Sequence, residues 1–404
     1  MKKISRHLKI ISVVLLFAFR FVNPAWAGDG DQGIKFRQIT LQQALEAAKV
    51  ENKPVFVHGF ADWCHYCMYM RDSVYTNKEV GDFFNANFIC IKIDMEKEGK
   101  MIRDTLNAHT YPELFFFDTN GEMMHRGAGR RYKSTFMELG REALDPRRQM
   151  RTYKKDYESG KASPEQVQQY FRMQEMCGMN AQQMLNDYLM KQPDSSFVSS
   201  WNNWKILLEI WKDPSMPLMK RFLGNKKAFE AIHTADSVNN KLIGMFNTYL
   251  LQFVQQLDSN SYEISKKNIL RMNGLEIGEK ICAYADLNKM KMKSDWPKYK
   301  EESKIFIQKY AMDDPKRLYD ISNVYYETFN SDKQLLKTAE PWVIRSISLS
   351  DRYKSNYLLA CISYLLDEKD QALKAANHAI ELGKKEGVDY SQATQILARI
   401  EKMP

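Results

Sequence analysis

The 404-residue sequence has no apolar run long enough to cross a membrane and no concentrated basic stretch. Its most apolar segment, residues 10–19, is half the length of about 20 residues that a transmembrane helix needs. Lysine and arginine outnumber aspartate and glutamate by 59 to 50, but residues 1–27 contribute basic residues and no acid. The remaining excess is too mild to indicate a nucleic-acid partner. The apolar fraction of 44% excludes a largely disordered chain.

Residues 1–27 have the pattern of a secretory signal peptide. Lys2 and Lys3 precede the apolar run, and the small-x-small sequence Ala25-Trp26-Ala27 follows it. No cysteine lies near this cleavage site, which excludes lipid attachment through an N-terminal cysteine. An uncleaved anchor is the alternative, but the apolar run is too short for one. We therefore expect a periplasmic or otherwise extracytoplasmic protein that is soluble after cleavage, with membrane contact only through the signal peptide during export.

From residue 34 to residue 144, predicted strands and helices alternate. Short apolar runs predict buried strands at 54–59 and 88–94. The turn sequence at 118–121 separates runs at 113–117 and 122–126, which predicts an antiparallel hairpin. Capping signals predict helices after Thr40 and Thr76, and helices are also expected from Cys64, over 100–109 and over 134–144. The order β-α-β-α-β-β-α predicts a mixed sheet flanked by helices.

After residue 146 the strand pattern disappears and only helical patterns remain. Ser163 and Pro164 give a strong helix start, and five apolar residues between 201 and 211 share one helix face. The pattern around Ala339 recurs around Ala372, at an offset of 33 residues. This resembles the tetratricopeptide repeat, whose period is about 34 residues. We predict a helical domain over 147–330 and tetratricopeptide-like helical repeats over 331–404.

The most informative motif is Trp63-Cys64-His65-Tyr66-Cys67, where a predicted strand gives way to a predicted helix. A cysteine at a helix N-terminus is stabilised as a thiolate by unpaired N–H groups and the helix dipole. A second cysteine one turn later can attack a mixed disulfide on the first. We therefore predict Cys64 as the nucleophile and Cys67 as the resolving thiol. No organic cofactor is expected, because the dithiol carries the electrons.

This motif, followed about 45 residues later by Tyr111-Pro112, resembles the thioredoxin superfamily. The resemblance covers residues 34–144 and implies an α/β thioredoxin-like fold for a domain over 28–146. It also implies that the Tyr111–Pro112 peptide bond is cis, and that Trp63, Tyr111 and Pro112 bind substrate beside the cysteines. Gly127 or Gly129 matches the later glycine that the family carries near this surface.

Three positions depart from the family pattern. His58 stands where the family usually has a buried acid that assists proton transfer, and Tyr111 is larger than the usual Ile, Val or Thr. His65-Tyr66 replaces the Gly-Pro of thioredoxin itself. We predict that His58, His65 and Tyr66 tune the redox chemistry, since a histidine beside a thiolate stabilises the anion and makes the couple more oxidising. For His58, a hydrogen-bonded histidine in the core is an equally good interpretation.

Other roles for the cysteine pair are a static bridge or a metal site. Zinc would need a second pair of ligands, and the sequence has neither a second Cys-x-x-Cys nor a histidine cluster, so no metal is predicted. Met68 and Met70 would favour copper, but methionines in this chain are more simply core residues. Cys90 is predicted to be a buried apolar residue. Cys177, Cys282 and Cys361 are left open as free or bridged.

These observations predict an exported thiol–disulfide oxidoreductase that acts on protein or peptide disulfides through Cys64 and Cys67. An upstream thiol redox partner would regenerate the pair, and no nucleic acid is expected as a partner. Reductase, isomerase and oxidase share such a site, so the direction of electron flow stays open. The alternative is a non-catalytic helical scaffold or peptide-binding protein with a thioredoxin-like docking module.

Overall fold

A computed structural model describes residues 32–108, 110–272 and 274–404, so the predicted signal peptide over 1–27 lies outside the described residues. The described chain forms two compact units. The first, here called the N-terminal unit, contains the described residues up to Lys161 together with Met176–Met179. The second, the helical unit, contains Ala162–Glu175 and the described part of Asn180–Pro404. The domain boundaries expected from the sequence remain predictions.

The N-terminal unit is built on a four-stranded mixed sheet. Its strands are β1 (Val55–Phe60), β2 (Ile89–Asp94), β3 (Glu113–Phe117) and β4 (Met123–Ala128), in the order β2-β1-β3-β4. β1 pairs with β2 in parallel and with β3 antiparallel, and β3 and β4 form the predicted antiparallel hairpin. The predicted strands and the mixed sheet are therefore confirmed.

Both faces of this sheet are covered, because successive side chains of a strand point to opposite faces. Phe56 and Phe116 are buried in an aromatic core on one face, while Val57 and Phe115 are buried in a second core on the other. Strands with two buried faces read as continuous apolar runs. This explains why the strands could be located from composition.

Helices cover the two faces of the sheet. They are α1 (Leu41–Glu51), α2 (His65–Tyr69, continued by a π-helical turn over Met70–Val74), α3 (Lys78–Asn87), α4 (Lys100–Thr105), α5 (Lys133–Leu144) and α6 (Met150–Glu158). Thr40 caps α1 through a capping box with Gln43, as its sequence predicted. The expectation of a helix over 100–109 is wrong at its end, because α4 stops at Thr105 and Asn107 adopts a positive φ of 49°.

Among its described residues, the helical unit contains helices joined by loops and turns, and no strand. After α6 the chain forms α7 (Pro164–Met176), α8 (Gln182–Lys191), α9 (Asp194–Ser199), α10 (Trp201–Glu209), α11 (Pro217–Gly224), α12 (Lys226–His233), α13 (Ala235–Gln255), α14 (Ser259–Leu270), α15 (Gly278–Met292), α16 (Trp296–Phe306), α17 (Pro315–Phe329), α18 (Lys333–Leu349), α19 (Tyr353–Leu365), α20 (Lys369–Glu386) and α21 (Ser391–Ile400). Ala339 and Ala372 are buried in one apolar core. In the described part of the chain, no helix combines the length and hydropathy that a membrane span requires.

Candidate active site

The two cysteines of the motif form a disulfide at the junction of β1 and α2. Their Cα atoms lie 5.2 Å apart, and each residue is only 4% exposed. Cys64 is the N-cap of α2, and its sulfur accepts a hydrogen bond from the Cys67 backbone N–H at 3.1 Å. The Cys64 carbonyl accepts bonds from the N–H groups of Cys67 and Met68. The first turn of the helix thus supplies one backbone donor to the sulfur of Cys64 and two to its carbonyl oxygen.

The Tyr111–Pro112 peptide bond is cis, as the family resemblance implied. It lies immediately before β3, and Tyr111 packs against the apolar cluster that contains both cysteines. The Pro112 carbonyl accepts a hydrogen bond from the Gly129 N–H at 2.8 Å, and Gly129 adopts a φ of 76° that favours glycine. Of the two glycines suggested by the resemblance, Gly129 is therefore the one bonded to the cis-proline.

Trp63 is more exposed than Tyr66, the other large aromatic residue of the motif, and 70% of its surface is accessible. Its ring packs edge-on against the ring of Tyr111, with centroids 5.7 Å apart. The Tyr111 hydroxyl donates to the carboxylate of Glu96 at 3.0 Å, which holds the ring in place. The structure therefore brings Trp63, Tyr111 and Pro112 together beside the disulfide, and leaves an aromatic surface open to solvent.

A buried ion pair supports the strand that begins after the cis-proline. Glu113 in β3 accepts two hydrogen bonds from Arg126 in β4, at 2.8 and 2.9 Å, and both residues are buried. Arg126 also donates to the carbonyls of Leu106 and Asn107, in the loop that leads to Pro112. Burial raises the pKa of Glu113 against the opposing effect of Arg126. This pair, which sequence reasoning missed, ties both sides of the cis-proline loop to the sheet.

His58 lies in the middle of β1, where it is almost fully buried. Aromatic rings surround it, since the ring centroids of Tyr75, Phe60 and Phe36 lie 5.0 to 6.4 Å away. Neither ring nitrogen has a hydrogen-bond partner among the described protein atoms. The burial expected of a core histidine is therefore confirmed, but the hydrogen bond expected with it is not found among the described residues. Burial, assisted by the charge of Lys92, lowers the pKa of His58 to about 3 and keeps the ring neutral.

The two residues between the cysteines, His65 and Tyr66, are both exposed at the start of α2. Tyr66 belongs to a group that sequence reasoning missed. The guanidinium of Arg130 lies over the rings of Tyr66, Tyr69 and Tyr132, at 5.5, 5.3 and 4.9 Å from their centroids. By residue type alone, Arg130 is typical of a solvated surface, since it is exposed and Arg131 follows it. Its position one residue after Gly129 was the signal that could have placed it beside the motif.

The four other cysteines, Cys90, Cys177, Cys282 and Cys361, are free and buried. Burial raises the pKa of each thiol, to about 12 for Cys177 and about 11 for Cys282. The expectation that Cys90 is a buried apolar residue is confirmed. Met70 lies in the aromatic core. Among the described residues, no three His, Cys, Asp or Glu side chains form a group that could hold a metal ion.

Comparison with known proteins places these features in context. Residues 31–111 match the family model Thioredox_DsbH, whose description reads "Protein of unknown function, DUF255". Spermatogenesis-associated protein 20 of Mus musculus is 41% identical over 56 residues, which are 14% of this chain and 7% of that protein. Disulfide bond reductase DsbH of Chlamydia pneumoniae is 26% identical over 109 residues, which are 23% of this chain and 65% of that protein. The matched segments thus cover only part of each relative.

Solved structures also match part of the chain. A solution structure of a Bacteroides thetaiotaomicron protein, described as a candidate disulphide-isomerase, is 34% identical and covers 28% of this chain and 95% of that one, with a TM-score of 0.27. The motif with its disulfide, the sheet order, the cis-proline and the family match agree with one another. The N-terminal unit therefore has a thioredoxin-like fold and resembles the thioredoxin superfamily, and a helical region follows it in the chain.

Proposed function

We propose that this chain is a thiol–disulfide oxidoreductase that acts on protein disulfides through Cys64 and Cys67. The observation that carries the proposal is the Cys64–Cys67 disulfide in the first turn of α2, packed against the residue that precedes a cis-proline. The matches to a reductase and to the Thioredox_DsbH model support the same chemistry. The exposed Trp63 offers a surface on which a substrate chain would lie.

In the reducing direction, the Cys64 thiolate attacks one sulfur of a substrate disulfide. An S–S bond forms between Cys64 and the substrate, the substrate S–S bond breaks, and its second sulfur leaves as a thiolate that takes up a proton. Cys67, deprotonated, then attacks the Cys64 sulfur and releases the remaining substrate thiol. Two electrons have passed to the substrate, and the Cys64–Cys67 disulfide is the product state that the structure holds.

The N–H group of Cys67 has a part in this cycle, because it already donates to the Cys64 sulfur in the disulfide. A hydrogen bond to a charged acceptor is stronger than one to a neutral acceptor. The same donor would therefore stabilise the Cys64 thiolate once the bond is reduced, and lower the pKa of that thiol. Cys64 is the nucleophile for this reason, and Cys67 is the resolving thiol.

Turnover needs a second dithiol protein that reduces Cys64–Cys67 after each cycle, and no organic cofactor or metal takes part in the proposed steps. We further propose that the protein works outside the cytoplasm after cleavage behind residue 27. The intact mass of the protein recovered from its native host tests the last point, because cleavage gives a chain that begins at Gly28.

The main experiment measures dithiothreitol-driven reduction of a protein disulfide by the wild type and by three cysteine variants. Cys64→Ser should abolish the rate above background, and Cys67→Ser should trap substrate on Cys64 as a mixed disulfide visible by mass. Cys90→Ser is the matched control and should keep the rate, since that thiol is buried away from the motif in the core. If wild type and Cys64→Ser are equally inactive, the chain is instead a helical scaffold with a docking module.

The reduction potential of the Cys64–Cys67 pair indicates the direction of electron flow between the pair and its substrate. Equilibration in glutathione or dithiothreitol buffers, read by the mass shift on alkylation, measures it. A value below about −220 mV would indicate a reductase, and one above about −180 mV an oxidase or isomerase. We expect a value above the ~−270 mV of thioredoxin, because His65 directly follows Cys64 in the chain and a histidine beside a thiolate stabilises the anion.

A further inference from the structure

An aromatic cluster beside the motif holds one arginine in a fixed position. Tyr66 and Tyr69 belong to α2, and Tyr132 immediately precedes α5. The guanidinium of Arg130 lies over all three rings and donates to the Tyr132 hydroxyl at 2.7 Å. Tyr66 and Tyr132 remain 52% and 54% exposed, so solvent reaches the cluster. Arg130 is thus oriented before any ligand arrives.

Arg130 has hydrogen-bonding capacity to spare. A guanidinium carries five N–H donors, and the only hydrogen bond of Arg130 among the described residues goes to Tyr132. No carboxylate lies within ion-pair distance of it in the described part of the chain. The aromatic faces hold the planar group without neutralising its charge. A carboxylate from outside could therefore take two parallel N–H donors at little entropic cost.

The position of Arg130 links this unused charge to the motif. Gly129, its neighbour, is bonded through its N–H to the carbonyl of Pro112. Tyr66, one of its ring partners, lies between the two cysteines in the sequence. Arg130 therefore contacts the helix that follows Cys64, and it directly follows the residue that is bonded to the cis-proline.

A groove of about 620 Å³ adjoins the cluster, with Tyr69 and Tyr132 among its lining residues. Its charged lining residues are Lys133, Arg141 and a single acid, Glu79, which is itself paired with Lys133 at 2.5 Å. Arg141 is in turn paired with Glu138 at 3.4 Å, so the charge without a carboxylate partner at this surface is that of Arg130. An extended acidic peptide complements this charge, whereas a basic peptide is repelled by it.

We infer that Arg130 is a specificity-determining residue that selects disulfide substrates with an acidic side chain beside the reacting cysteine. The substrate carboxylate would bind the free N–H donors of Arg130, and the chain next to it would continue into the groove. The inference rests on the proposed oxidoreductase function and adds its substrate class. A guanidinium fixed by three aromatic rings, with no acid of its own, is the observation that carries it.

The test compares synthetic peptides that contain one disulfide and differ only in a Glu, Gln or Lys next to the cysteine. Wild type should show a kcat/KM about three- to five-fold higher for the Glu peptide than for the Gln peptide, the size of an exposed ion pair, and lower again for the Lys peptide. The preference should shrink in 1 M salt, where the screening length falls to about 3 Å. Arg130→Gln should remove the preference.

Two further variants make the result unambiguous. Arg130→Glu should reverse the order and favour the Lys peptide, a gain that partial unfolding cannot produce. Arg147→Gln removes the same charge from an exposed site that does not line the groove, and should leave the order unchanged.

The uncharged hydroxyethyl disulfide separates failure of the inference from failure of the proposed function. A wild type that reduces this compound but treats all three peptides alike overturns the inference and keeps the function. A wild type that reduces none of the four substrates overturns both. Equal peptide selectivity in wild type and Arg130→Glu would also overturn the inference.

Discussion

The buried pair of Glu113 and Arg126 gives the sharpest test of how the site is supported. Replacing Arg126 with methionine would leave Glu113 as a buried carboxylate without a counter-charge, directly after the cis-proline. Both side chains are almost fully inaccessible, and the pair is bidentate. Removal of one partner from a buried ion pair costs about 3–5 kcal/mol. We expect Arg126→Met to destabilise the N-terminal unit by that amount at pH 7.

The pair can be separated from the other bonds of Arg126 by a double variant. Arg126 also serves the carbonyls of Leu106 and Asn107, and these lose a partner in either case. Glu113→Leu combined with Arg126→Met removes the unpaired carboxylate and leaves only the two carbonyls without their hydrogen-bond donor. The loss of that donor costs about 1–3 kcal/mol. The double variant should therefore be more stable than Arg126→Met alone.

Alkylation of Cys90 measures this destabilisation in the full chain. Cys90 is buried in the aromatic core of the N-terminal unit, so a reagent reaches it only when that unit opens. Because each 1.4 kcal/mol is a factor of ten, 3–5 kcal/mol means labelling about 140- to 3700-fold faster. Peptide mass spectrometry separates Cys90 from Cys361, which reports on the helical unit. Acceleration below ten-fold, or a double variant that labels faster than the single one, would refute the reasoning.

Three further predictions follow from burial. The pKa of His58 is lowered to about 3, so below pH 6.5 the histidine of the unfolded chain binds a proton while that of the folded chain stays neutral. The free energy of unfolding should therefore be highest above pH 6.5 and fall by about 2 kcal/mol from pH 7 to pH 5. His58→Leu should remove this loss, which the pH dependence of hydrogen-exchange protection in β1 measures. Cys177, with its pKa raised to about 12, should stay unmodified when the native protein meets iodoacetamide at pH 8, and rapid alkylation would contradict its burial. Gly81→Ala would place a Cβ 2.4 Å from the carbonyl oxygen of Gln32 and should lower the free energy of unfolding by about 1–3 kcal/mol, as measured by thiol labelling. Gly244→Ala is the control, since its Cβ would meet no atom of a neighbouring element within 4 Å, and it should leave the free energy of unfolding unchanged or raise it.

Much of the N-terminal fold could be predicted because its signals are local. Strands with two buried faces appear as short apolar runs, and caps such as Thr40 mark helix starts within four residues. The end of α4 could not be predicted in this way, because the helical pattern continues past Thr105 while the chain turns toward the cis-proline. Tertiary context sets that boundary.

The site was predictable to the extent that it lies in one motif. Cys64 and Cys67 needed only their spacing, and Pro112 needed the family resemblance. The Glu113–Arg126 pair depends on the register of two strands, which residue types alone do not determine. Arg130 escaped notice because an exposed arginine next to another arginine is typical of a solvated surface, and only the three-dimensional contacts show the rings beneath it.

The hydrogen bonds around Cys64 have a consequence for how the protein withstands turnover. A structural disulfide that closes a long loop stabilises a fold by restricting the unfolded chain, so its reduction endangers the fold. Here the disulfide joins two residues that are three positions apart in one helical turn. The hydrogen bonds from the Cys67 and Met68 N–H groups to the Cys64 carbonyl stabilise that turn independently of the disulfide. In the proposed cycle, reduction of the bridge would therefore leave the folded architecture of the domain intact.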